Sequence, residues 1–71
     1  MKFARFFVTA ATTDHAKTVG IDMIKGFGLD HGDFTFISAD AIGGGEYEVT
    51  FTGSVNNLRK LRRALSDGDA S

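Results

Sequence analysis

From Lys2 to Ala10 the chain reads KFARFFVTA, and apolar residues fall on both faces of an extended strand. Side chains alternate along a strand, so Phe6, Val8 and Ala10 share one face, with Ala4 in the same row. Phe3, Phe7 and Thr9 share the other face, with Arg5 among them. Such a strand needs cover on both sides, and a short chain supplies one cover more readily than two.

The pattern then changes period. Thr12-Thr13-Asp14 is a cluster of helix N-cap residue types. Ala16, Val19, Gly20, Met23, Ile24 and Phe27 recur at three- and four-residue spacing, while His15, Lys17, Thr18, Asp22 and Lys25 fall mostly on the other side. This spacing predicts an amphipathic helix over residues 14–26, ended by Gly26 and Gly28. Asp14 and Lys25 complement the helix dipole. Gly20 inside it is expected to let the helix lie close on a sheet.

Phe34–Ala39 and Glu46–Thr52 read as two further strands around a Gly43-Gly44-Gly45 turn, a hairpin with a flexible glycine tip. In the first, Phe34 and Phe36 oppose Thr35 and Ile37. In the second, Tyr47, Val49 and Phe51 face inward; Glu46, Glu48, Thr50 and Thr52 face outward. Gly53 breaks the strand and Ser54 caps a second helix with a Leu58, Leu61, Leu65 stripe. One domain over residues 1–66 is expected, with a flexible tail over 67–71.

The order β-α-β-β-α predicts an α+β two-layer sandwich, with a three-stranded antiparallel sheet and two helices on one face. In element order alone it resembles a ferredoxin-like or ACT-like unit lacking its last strand. The ACT-like resemblance implies a small-molecule sensor with its ligand at a dimer interface. In this fold the first strand lies beside the third, and its outer edge is unpaired. The uncovered face is expected to carry Phe3, Arg5 and Phe7, with Glu46 and Glu48 beside them. An unpaired edge next to exposed phenylalanines is an association site or an aggregation hazard.

Composition narrows the chemistry. A domain of about 60 residues buries only about 60% of the surface its unfolded chain exposes, so small domains use disulfides, metals or oligomerisation. The 71-residue chain has no cysteine, which excludes disulfides and thiolate zinc sites. Self-association, as a homodimer, is the remaining expectation. A net charge of −1 makes no global statement about partners. No apolar run has the roughly 18 residues of a membrane span. No signal peptide is recognised, so a cytoplasmic location is expected.

The charged residues are segregated. Asp30, Asp33, Asp40, Glu46 and Glu48 lie between Gly26 and Leu58 with no lysine or arginine among them. Arg59, Lys60, Arg62 and Arg63 hold four of the eight basic residues, and phosphate contact with a nucleic acid is one reading of them. No aromatic residue interleaves with these cations to stack a base, and the outward row of the last strand is acidic. The first, with the acidic overall balance, suits a solvated helix face better, and the second disfavours RNA binding by the sheet face. Asp30-His31-Gly32-Asp33 lacks calcium-loop and zinc-helix spacing and reads as a turn. The three glycines join two strands, so they lack the helix dipole of a phosphate cradle. No catalytic trio or carboxylate pair assembles, and no cofactor is implied. The expected class is a non-enzymatic protein-binding regulator or inhibitor, of the kind common in phage and mobile elements, with nucleic-acid binding through the basic second helix or an ACT-like small-molecule sensor as the alternatives.

Overall fold

The computed structural model describes the backbone of residues 2–69 and the side chains of residues 2–67. Strand β1 (Phe3–Thr9) leads to helix α1 (Thr13–Gly26). A short 3-10 turn (His31–Asp33) precedes β2 (Phe34–Gly43), β3 (Glu46–Gly53) and helix α2 (Val55–Asp69). The sheet order is β1-β3-β2 and both pairings are antiparallel. The β-α-β-β-α, α+β architecture is as the periodicity predicts, with β3 central.

The predicted caps are made. Thr12 Oγ1 accepts from the His15 N–H at 3.1 Å, and Ser54 Oγ accepts from the Asn57 N–H at 3.1 Å. His15 also reaches back: its Nδ1 accepts from the Ala11 N–H at 3.1 Å. At the far end of α1, the Leu29 N–H bonds the Ile24 carbonyl and the Gly28 N–H bonds the Lys25 carbonyl. Gly28 has φ +80°, as this Schellman end requires.

The core lies between the sheet and the helices, and Phe51 is its hub. Its ring stacks on Phe6 at 5.8 Å and meets Phe36 edge-on at 5.5 Å. Gly20 of α1 lies against the same ring; a Cβ there would stand 3.1 Å from Phe51 Cε2. Leu58 and Leu61 of α2 and Ile24 of α1 are fully buried around it. Gly20 therefore does set the close approach of helix to sheet.

Three features differ from the expectation. First, β2 continues past Ala39 to Gly43, with Ile37 and Ile42 as extra residues in its pairing to β3. These bulges change which residues share a face: Ser38 pairs with Thr50 and joins the uncovered side, as does Asp40 opposite Glu48. Second, the predicted glycine turn is confined to Gly44 and Gly45, with Gly43 still in β2. Gly44 and Gly45 have φ +64° and +77°, both positive as a type I′ hairpin demands. Third, α2 runs to Asp69, into the segment expected to be a tail; Ala70 and Ser71 lie outside the described residues.

Candidate functional site

The side of the sheet away from the helices has no cover among the described residues. Phe3, Arg5, Phe7 and Thr9 of β1 stand on it beside Thr52, Thr50, Glu48 and Glu46 of β3. Phe7 is 59% exposed, and Ile37 on the opposite strand is 45% exposed. Glu48 is half-buried between Phe7 on one side and Asp40 on the other. Like charges directly opposite one another in a sheet are destabilising, so the Asp40–Glu48 pair leaves an acidic strip in want of a cation. Arg5 lies diagonal to Glu48 across the ladder and directly opposite neither acid of the strip. Its cross-strand neighbour is Thr50, which is buried between Arg5 and Ser38, and its guanidinium lies 5.8 Å from the Phe3 ring centroid.

The outer edge of β1 follows from the ladder. The Ala10 N–H bonds the Gly45 carbonyl, so the even-numbered residues of β1 turn their backbone groups toward β3. The odd-numbered residues then turn theirs outward. One outward carbonyl is already used: Arg62 Nη2 of α2 donates to the Phe3 carbonyl at 2.7 Å. The Phe3 N–H and both backbone groups of Arg5, Phe7 and Thr9 are the remaining outward groups. A cleft of about 340 Å³ runs along this edge, lined by Arg5 and Phe7 on one side of the strand and Phe6, Met23 and Leu65 on the other.

The structure thus gathers Phe3, Arg5, Phe7, Glu46 and Glu48 on one face, as the alternation predicts. It does not add the basic residues to them. Arg59, Lys60 and Arg63 are exposed on α2, in the layer on the far side of the sheet, and Arg62 is engaged at the strand edge. Sequence reasoning missed Ile37, Asp40 and the cleft residues Met23 and Leu65. Asp40 was legible only as part of a connection, because the bulge that extends β2 leaves no signal in the alternation. Asp30 is spent on its own turn, its Oδ1 accepting from the Gly32 N–H at 2.9 Å. No helix among the described residues is long and apolar enough to cross a membrane. Compared with family models, curated proteins and solved structures, the chain matches none of them.

Proposed function

We propose that this chain is a small non-enzymatic protein-binding module of the cytoplasm, which regulates or inhibits a protein partner by docking through the uncovered face of its sheet. The observation that carries this reading is the face itself. Exposed Phe7 and Ile37 flank an acidic strip, on a sheet whose other side packs against the helices. Exposed apolar side chains rimmed by charge are the features of a protein-docking surface. Self-association as a homodimer belongs to the same reading, because β1 offers both an apolar face and free backbone groups.

The test is affinity capture with matched baits. Wild-type protein and an Ile37→Glu variant are compared after circular dichroism shows both folded. Ile37 is exposed on β2, away from the β1 edge, so its change alters the face and leaves the edge intact. A partner retained by wild type and lost by Ile37→Glu supports the reading. Equal capture by both baits overturns it.

A further inference from the structure

We propose that the occupant of the β1 edge is a second copy of this chain, joined by antiparallel β1–β1 pairing with Phe7 on the two-fold axis. The proposal rests on the reading of the β1 face as a docking surface and specifies how it is used.

The register follows by elimination. Only the odd-numbered residues of β1 point backbone groups outward, so a two-fold pairing must match odd residues with odd residues. Centring the pair on Arg5 sets two guanidinium groups opposite each other, a repulsive arrangement. Centring it on Phe6 matches Arg5 with Phe7 and would add Phe3 to Thr9, but the Phe3 carbonyl is engaged by Arg62, which leaves only Arg5 and Phe7 to pair. Centring it on Val8 leaves only Phe7 and Thr9 to pair. Centring it on Phe7 matches Arg5 with Thr9 of the second copy, uses both outward groups of Arg5, Phe7 and Thr9, and leaves the Arg62–Phe3 bond untouched.

Charges across the seam are complementary in this register. Thr9 is the cross-strand neighbour of Glu46, and Phe7 that of Glu48. In the pairing centred on Phe7, Arg5 of one copy faces the short Thr9 of the other, with Glu46 one strand beyond it. That places the cation about 10 Å from Glu46 by Cα, two strand spacings, within reach of two long side chains. Glu48 lies on the adjacent diagonal. Pairing of two copies thus adds Glu46 of the second copy to the Glu48 that already lies on the diagonal of Arg5 within one chain. The two Phe7 rings meet across the axis. The cleft walls Met23 and Leu65 of each copy border the same seam, on the helix side.

The chain has no cysteine, so introduced thiols report the register. Arg5→Cys and Thr9→Cys variants are mixed, oxidised gently and separated by intact mass. Facing residues in such a pair lie about 5.5 Å apart by Cα, within disulfide reach. Same-site pairs lie four residues apart along the strand, about 13 Å, and are out of reach. The mixed disulfide is expected to exceed both same-site products well beyond the statistical mixture. Independently, Arg5→Glu is expected to weaken the wild-type dimer about tenfold by light scattering, and Arg5→Glu with Glu46→Arg to restore it. A monomeric mass at all concentrations overturns self-pairing, while Ile37→Glu capture still decides the docking reading on its own. A dimer with statistical or same-site disulfides overturns the register.

Discussion

Arg62 and Phe3, 59 positions apart in sequence, are joined by a 2.7 Å hydrogen bond from the guanidinium to the strand-edge carbonyl. It fastens α2 to the outer edge of β1 and leaves one end of that edge closed to a strand partner. Edge strands are commonly protected in this way by charged side chains. Here the protection is partial, and the open remainder is the part that carries Phe7.

Removing the clasp has two measurable effects. Arg62→Ala is expected to lower stability by about 1 kcal/mol, the scale of one such bond at an exposed site, read from urea unfolding. It also frees the Phe3 carbonyl, so the register centred on Phe6 gains its outer Phe3–Thr9 pairs. The Arg5→Cys with Thr9→Cys preference is then expected to blur in an Arg62→Ala background. A sharp preference there would mean that Arg62 does not select the register.

Gly20 sets two effects against each other. Alanine would raise helix propensity by about 1 kcal/mol. Its Cβ would press on Phe51, 3.1 Å away, and that ring is held by Phe6 and Phe36. Overpacking of a fixed core costs about 1–3 kcal/mol, so Gly20→Ala is expected to be net destabilising. A raised melting temperature would show that α1 lifts off the sheet without penalty.

The hairpin turn depends on left-handed backbone at consecutive residues. Gly45→Ala at φ +77° is expected to cost about 1–2 kcal/mol, and Gly45→Asn distinctly less, because asparagine tolerates that region. Space is not the cause, since no atom lies within 4 Å of a Cβ built there. Equal losses for alanine and asparagine would point to a different turn.

The basic face of α2 separates the docking reading from nucleic-acid binding. Arg59 and Arg63 are exposed and one helical turn apart. Reversing both to Glu is expected to leave partner capture through the sheet unchanged. A labelled single strand is expected to show no binding by anisotropy at physiological salt. Binding that falls steeply with salt and vanishes in the double reversal would transfer the function to α2.

The legible parts were those governed by local rules. Alternation placed Phe3, Arg5 and Phe7 on one face because a strand has no other choice, and Thr12 and Ser54 announced the helix starts. The order β1-β3-β2 followed from short connections and handed crossovers. What escaped were relationships carried by pairing rather than by periodicity. Asp40 and Ala41 have poor strand propensity and are strand only because β3 lies beside them. The bulges at Ile37 and Ile42 shift the facing of β2 without altering the order of apolar and polar residues. The Arg62–Phe3 bond joins opposite ends of the chain, and nothing in the spacing of α2 distinguishes Arg62 from Arg63.

The central position of β3 has a kinetic meaning. Its contacts with β2 close through a two-residue turn, so that hairpin can form with little loss of chain freedom. Its contacts with β1 close a loop spanning most of the sequence, so β1 is expected to join late. In native-state hydrogen exchange, the Phe6 and Val8 amides, which point toward β3, should open together and at lower free energy than the β2–β3 amides. A second copy bound along β1 would add backbone bonds to the strand that is otherwise first to leave, and assembly would then slow the chain's own unravelling.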